Sequence, residues 1–370
     1  MQKDELKYMV WLSHMYGTNM HYIDILLERF KSASGLYHAL CEDLKSENLI
    51  PNSALSKIIE LKKNLNPDEV LANMQAKNIQ FIHRDDCNYP PMLRQIHSPP
   101  LGLFMLGKMP GFDRLWVSII GTRRHTDYGK TVTHNLSKEL ALKGVVIVSG
   151  MAEGLDAVAS HASLEAKAPT VVVLGSGVDI CYPKINEKLY ENLLEDDNAC
   201  ILSEFPPGVN ADKWHFPLRN RIISALSLGV IVTEAEVKSG TSITVNYALE
   251  QGREVMAVPG NITSKRSTGT NKLIKEGAHV VTCALDVLDA LGVIESENLS
   301  TINEENQNIM KISLAPDEKR VYALLEDNVL SLDEIVAKDT LSAREIMVLL
   351  KRLEVSGLIR ELPGQKYIRQ

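Results

Sequence analysis

Aromatic residues are scarce in this chain, at 5% of its 370 residues. Any core must therefore rest on Leu, Ile, Val and Ala. The five cysteines (Cys41, Cys87, Cys181, Cys200 and Cys283) lie far apart, form no Cys-x-x-Cys pair and are odd in number. That argues against a disulfide framework or a thiolate metal knuckle and for reduced thiols in a reducing compartment. No run approaches the roughly 18 apolar residues of a membrane span. The opening MQKDELKYMVW is too charged for a secretory leader, so the expected location is cytoplasmic. Positive charge is not in excess either, with a net charge of −7. A nucleic-acid binder with this balance has to concentrate its basic groups locally, because long-range steering is weak.

What is present is a patterned chain long enough for two or three domains. Met9, Leu12 and Met15, then Ile23, Leu26, Leu27 and Phe30, recur at helical spacing, so residues 1–65 are expected to form a small helical domain. Residues 66–110 read as a connecting extension with one helix, a short strand near Gln80 to Ile82 and a proline-marked stretch. From 111 to 292 strand and helix alternate. The apolar runs Trp116 to Ile120, Val145 to Val148, Val171 to Leu174, Val230 to Val232, Val255 to Val258 and Val280-Val281 are each followed by a turn rich in small residues. Continuous β-branched runs predict strands buried on both faces, hence a mostly parallel sheet covered by helices. Residues 293–312 read as a polar, acidic linker. Residues 313–370 carry two capping boxes (Ser331 with Glu334, Ser342 with Glu345), an apolar stripe of Ile346, Leu349, Leu350 and Leu353, a helix stop at Gly357, and a hairpin from Leu358 turning at Pro363-Gly364. That is a winged-helix pattern.

In an open parallel sheet, ligands bind where the strands end. The strand-end turns hold Gly121-Thr122-Arg123-Arg124, Ser149-Gly150 through Asp156, Gly175-Ser176-Gly177, Glu234 with Lys238-Ser239-Gly240-Thr241, and Pro259-Gly260-Asn261. Small residues there let main-chain N–H groups approach an anion. The first turn lacks Gly-x-Gly-x-x-Gly, Ile180 stands where the third turn would need its last glycine, and no Walker sequence occurs, so no nucleotide cofactor is expected. The histidines lack metal spacing, and no Ser/His/Asp set follows an elbow motif. Asp156 and Glu234 are conceivable as acid and base, or as acceptors of loop N–H groups. The densest basic segment is Lys213-Trp214-His215-Phe216-Pro217-Leu218-Arg219-Asn220-Arg221. Cations neutralise phosphates and aromatic faces stack unpaired bases; equally, the segment reads as a helix start with Phe216 in the core and both arginines in ion pairs.

The ordered series GTRR, SGMAEGLD, LGSGVDICYPKIN, SEFPPG, FPLRNRIISALS, TEAEVKSGT, GREVMAVPGN and GTNKLIKEGA resembles the DNA-processing protein A family, also called DprA or Smf, over roughly Tyr89 to Ala278. The resemblance implies a Rossmann-like central domain between a helical domain similar to a sterile alpha motif and a winged helix. It implies a non-enzymatic protein that binds single-stranded DNA in natural transformation, dimerises through its central domain and loads the RecA recombinase. Carried over residue by residue, the DNA pocket falls on Arg123, Lys184, Lys213, Phe216, Arg219, Asn220 and Arg221. Main-chain contacts would come from Ser149, Gly150, Ser239, Gly240 and the Pro259-Gly260-Asn261 turn. The candidate dimer surface is Gly252 to Ala290. Two departures stand out: Glu153 would repel a phosphate, and the histidine expected at 160 is Ser160, with His161 rotated by about 100° on a helix.

Two other functions compete. A nucleotide-binding or nucleoside-monophosphate-cleaving enzyme of the lysine-decarboxylase-like type shares the Ser-Gly turn; replacement of its PGGxGT segment by Lys238-Ser239-Gly240-Thr241 argues against the cleavage but leaves room for a bound nucleotide. A regulator of duplex DNA would act through Arg344, Lys351 and Arg352 of the winged helix.

Overall fold

The computed structural model describes residues 3–46, 48–293, 316–325, 330–339, 341–355, 359–362 and 366–369. The β-branched runs form strands β3 (Trp116–Ile120), β4 (Val146–Ser149), β5 (Thr170–Val173), β7 (Gly229–Val232), β8 (Glu254–Ala257) and β9 (His279–Val280). Every residue of β3, β4, β5 and β7 is buried, which is why these segments are unbroken rather than alternating.

Three strands complete the sheet beyond those expected in the central region. β6 (Ala199–Ser203) lies within it. β1 (Gln80–His83) and β2 (Gly102–Gly107) come from residues 66–110. That stretch is therefore part of the sheet and not only a connection. β2 runs antiparallel to β6, and β1 antiparallel to β2. The order is β1-β2-β6-β5-β4-β3-β7-β8-β9, parallel from β6 to β9.

The N-terminal helices, including Lys3–Leu12, Met20–Phe30 and Asn52–Asn64, pack Trp11, Leu12, Ile23, Leu26, Leu36 and Ile58 into a core of their own. Val10, on the opposite side of the first helix, instead joins Met74, Phe104 and Leu193 in the core beneath the sheet. Each such buried side chain contributes about 1.5–3 kcal/mol, so the helices are held against the sheet, and the chain up to Val293 makes one compact unit. Among the described residues no helix is long and apolar enough to cross a membrane.

The second unit contains helices Pro316–Leu324, Leu332–Lys338 and Ala343–Val355 and strands β10 (Leu330–Ser331), β11 (Ile359–Leu362) and β12 (Lys366–Arg369), in sheet order β10-β12-β11. Both capping boxes are formed. Ile346, Leu350 and Leu353 are buried with Val321, Ile335 and Tyr367. This is the winged-helix pattern read from the sequence. The linker at 295–308, Gly357, Leu358 and Pro363-Gly364 lie outside the described residues, as does the side chain of Arg344.

Candidate functional site

The chain leaves β3 to build β4, β5 and β6 on one side, then returns to build β7, β8 and β9 on the other. The crevice beyond the carboxyl ends of β3 and β7 is thus the switch point of a doubly wound sheet, where ligands bind. Ile120 and Val232 pair at those ends, so the loops that follow lie side by side.

Buried carboxylates hold these loops in place. Glu234, after β7, accepts the Thr126 N–H at 2.9 Å and the Thr126 hydroxyl at 2.6 Å. Thr126 in turn caps the helix Asp127–Leu142 through the Gly129 N–H. Asp156 Oδ1 accepts the Gly121 N–H at 3.3 Å. Gly154 has φ +92°, and a Cβ there would sit 2.5 Å from the Thr122 oxygen and 2.7 Å from Arg123 Cα. Only glycine lets the loop after β4 press against the loop after β3. Pinned in this way, the latter presents Arg123 and Arg124 to solvent.

The crevice is a cleft of about 610 Å³. Arg123, Arg124, Lys238 and Arg266 supply its cations, and Ser239, Gly240 and Thr241 its far wall at the start of the helix Thr241–Glu250. Arg266 is paired with Glu236. The Ser239 hydroxyl is buried without a partner among the described residues. Along the helix His215–Ala225, Phe216, Arg219, Asn220 and Ile223 share one face, as i, i+3, i+4 and i+7 must, and line the same cleft. Phe216 is half-buried, with the guanidinium carbons of Arg123 at 5.8 Å and Arg219 at 6.0 Å from its ring centroid and Tyr182 tilted against it at 5.6 Å. A second recess of about 80 Å³ shares Arg123, Phe216 and Arg219 and is lined by Gly150, Glu153 and Gly175.

Arg219 is 4% exposed. Its Nη1 donates to the carbonyl oxygens of Gly150 and Val173, and its Nε to Asn220 Oδ1 at 3.1 Å. Burial pushes its pKa down to about 10, against the opposing charge of Asp156, and Arg123 adds to the lowering. Burial raises the pKa of Asp156, opposed by Arg219 and by the N–H groups of Gly121, Gly150 and Ala152. Both groups are buried and hold the ends of neighbouring strands together.

The structure thus brings Arg123, Phe216, Arg219, Asn220, Ser239 and Gly240 together in one cleft, with Gly150 in the adjoining recess. The other expected residues lie elsewhere. Arg221 is turned about 200° from Arg219 around the helix; its Nη2 donates to Glu204 at 2.6 Å and its Nη1 to Ser98 O at 2.8 Å. It is a largely buried structural cation rather than part of the cleft lining. Ser149 is buried, its hydroxyl donating to Ile119 O at 2.8 Å. Pro259, Gly260 and Asn261 line a separate concavity with Tyr128, whose hydroxyl donates to Pro259 O. There the Gly260 N–H and carbonyl are both taken by the Asn271 amide, and Asn261 Oδ1 accepts from Thr263. Lys184 and Lys213 are exposed but outside the cleft lining, Lys213 with its ammonium 5.3 Å from the ring centroid of Trp214, which is 70% exposed. Ser160 is buried and bonded to Asp156 O, and His161 is exposed. Arg124, Lys238, Arg266 and Tyr182 are cleft or recess residues that the sequence does not single out. Arg124 and Lys238 stand beside chosen residues within the same turns, whereas nothing local marks Arg266.

Breaking a buried ion pair by removing one partner costs about 3–5 kcal/mol. Arg221→Ala is therefore expected to lower the melting temperature strongly, with any DNA-binding loss following only the folded fraction. A melt beside each binding curve checks this, and a binding defect in fully folded protein would return Arg221 to the site.

An open doubly wound sheet with a cation-lined, glycine-walled cleft at its switch point defines an α/β protein of the Rossmann type. The family model described as DNA recombination-mediator protein A matches residues 80–292, and the DprA winged helix domain model residues 311–365. The chain belongs to this family, the DNA-processing A proteins. It is 32% identical to Protein Smf of Synechocystis over the full length of both chains. It is 43% identical to the DNA processing protein DprA of Bacillus subtilis over 60% of this chain and 74% of that one. Among solved structures, DNA processing protein A from Streptococcus pneumoniae matches with a TM-score of 0.65 at 33% identity, covering 76% of this chain and 97% of that one. The Helicobacter pylori protein, studied for its single-stranded DNA binding mode, matches with a TM-score of 0.52 at 32% identity over 58% and 95%.

Proposed function

We propose that this protein binds single-stranded DNA in the switch-point cleft without cleaving it, and passes the strand to the RecA recombinase. The observation that carries this reading is the half-buried Phe216 ring, set beside Arg123 in a cleft whose opposite wall is a helix N-terminus. A phosphate is served by Arg123, Arg124, Lys238 and the positive end of the helix Thr241–Glu250, whose Ser242 and Ile243 N–H groups meet the carbonyls of Ser239 and Gly240. An unpaired base is served by the ring face, which a duplex cannot offer. The Helicobacter pylori relative's single-stranded DNA binding supports the same assignment. Against an enzyme stands the structural commitment of Asp156 and Glu234. In the winged helix, Lys351 bonds Glu354 at 2.6 Å and Arg352 lies 3.8 Å from Glu318, an arrangement that favours the central cleft over duplex binding there.

Homodimerisation through the central domain belongs to the same proposal, because two clefts on one strand add avidity of about 10²- to 10⁴-fold. Part of the expected surface is core: Val255, Met256, Val258 and Val287 are buried. Its exposed apolar positions include Val280 on the edge strand β9, 47% exposed, and Ile262, 89% exposed.

The test is a titration of the full chain with oligo-dT and with a duplex of equal length over a salt series, with light scattering. Expected are a clear preference for the single strand, a log–log salt slope of about −2 to −3 for three or four phosphates, and two chains per oligonucleotide. Complexes given RecA and ATP should form recombinase filaments faster than bare DNA coated with a generic single-strand-binding protein. Equal affinity for the duplex at moderate salt would sink the reading.

A further inference from the structure

The small recess beside the cleft differs from it in charge. Arg124, Lys238 and Arg266 line the cleft and not the recess. Glu153, in the turn between β4 and the helix Leu155–Glu165, lines the recess and not the cleft. It is the only carboxylate among the described residues of that lining. The side chain is exposed, and among the described residues it has no hydrogen bond or ion pair. A phosphate placed there would meet a like charge, so the recess is not a backbone site.

Its walls suit a base edge. At about 80 Å³ it is too small for a whole nucleotide. Phe216 borders both spaces, so a base stacked on the ring in the cleft turns one edge towards the recess. The ring is seated close against Gly175, where a Cβ would lie 3.0 Å from Phe216 Cδ1, and Tyr182 flanks it at 5.6 Å. Unpaired bases are read by hydrogen bonds along their Watson–Crick edges. A carboxylate only accepts such bonds. Guanine alone presents two adjacent donors, N1–H and N2–H, which match the two carboxylate oxygens. Its O6, next to them, is an acceptor, and the guanidinium of Arg123 lines the same recess. Adenine and cytosine set a ring-nitrogen lone pair beside their single amino group. Thymine flanks its one N–H with two carbonyls. Each of these turns a lone pair towards the carboxylate.

We propose that the recess reads the base stacked on Phe216 and that Glu153 makes it prefer guanine. This rests on single-stranded DNA binding in the cleft and adds a base preference to it. Glu153, which is unfavourable to a phosphate, is then the residue that sets specificity.

The experiment measures fluorescence polarisation of the full chain with oligo-dT and with matched strands in which every fourth base is guanine, adenine, cytosine or hypoxanthine. Lithium salt suppresses guanine quadruplexes. The guanine strand should bind at least about fivefold tighter than the adenine, cytosine and all-thymine strands. Hypoxanthine, which lacks the 2-amino group, should fall between. Glu153→Gln and Glu153→Ala should bring all strands to one affinity and bind oligo-dT more tightly than the wild type, because a negative charge near the strand is gone. Melts of both variants confirm the fold. Equal affinity of the wild type for all strands, with single strands still preferred to a duplex, overturns the guanine assignment and leaves DNA binding in the cleft standing. A guanine preference that survives in both Glu153 variants overturns it too, placing the selection elsewhere. No preference for any single strand over a duplex sinks both.

Discussion

Replacing Arg219 with alanine is expected to destabilise the protein by about 3–5 kcal/mol and to remove DNA binding even from the fraction that stays folded. The stability loss follows from what the guanidinium leaves behind: the buried Asp156 without its counter-charge and the carbonyls of Gly150 and Val173 without their donor. The binding loss follows from position. Arg219 ties the ends of β4 and β5 to the helix that carries Phe216, so it sets the distance between phosphate loops and stacking face. A pH dependence separates this account from simple loss of packing. The folded-state pKa of Asp156 is raised by burial, and removing Arg219 takes away the main opposing charge. A carboxyl with a raised folded pKa costs stability as pH climbs from its unfolded value through its folded one. The deficit of Arg219→Ala relative to wild type should therefore shrink as pH is lowered from 8 towards 5. Denaturant melts across that range measure it; a deficit independent of pH would place the cost in packing alone. Arg219→Lys keeps the charge but not the forked donors, and should recover stability without full binding.

The second large effect is expected at Phe216. Its ring is half-buried and borders both recesses of the site, so Phe216→Ala should leave the fold nearly intact. Binding should fall by about 1–3 kcal/mol, roughly 5- to 150-fold, with little change in salt slope, because stacking releases no counterions. Arg123→Ala should behave differently: affinity falls and the slope flattens by about 0.7 for each phosphate left without its cation. The guanidinium lies 5.8 Å from the Phe216 ring centroid, so the two substitutions share an interaction and their double variant should lose less than the sum. Fluorescence polarisation with labelled oligo-dT at four salt concentrations, beside thermal melts, decides the matter. Losses that track the melting temperature would make both residues structural.

Much of the fold is readable in one dimension. The runs at β3, β4, β5, β7 and β8 declare buried parallel strands, because a strand covered on both faces has no polar positions to alternate; β9 departs from this, since at the sheet edge both its residues are exposed. β2 is hidden because it lies between stretches rich in proline, and β6 because its five residues contain Cys200 and end in Ser203. Arg123, Phe216 and Gly240 can be named because strand-end turns and a basic aromatic segment are local features. The helical period alone, about 200° between positions 219 and 221, already separates the two arginines.

By itself, then, the sequence determined the strand content of the sheet's centre, the winged-helix pattern and the turns that meet at one rim, since each is written in residues a few places apart. Tertiary structure decided which groups on that rim are available. Arg219 meets Gly150 across 69 residues, Arg221 meets Glu204 across 17 and Ser98 across 123, and Gly260 is closed off by Asn271. Whether a cation faces solvent or spends its donors on buried carbonyls depends on packing between elements far apart in the chain, which no local pattern records.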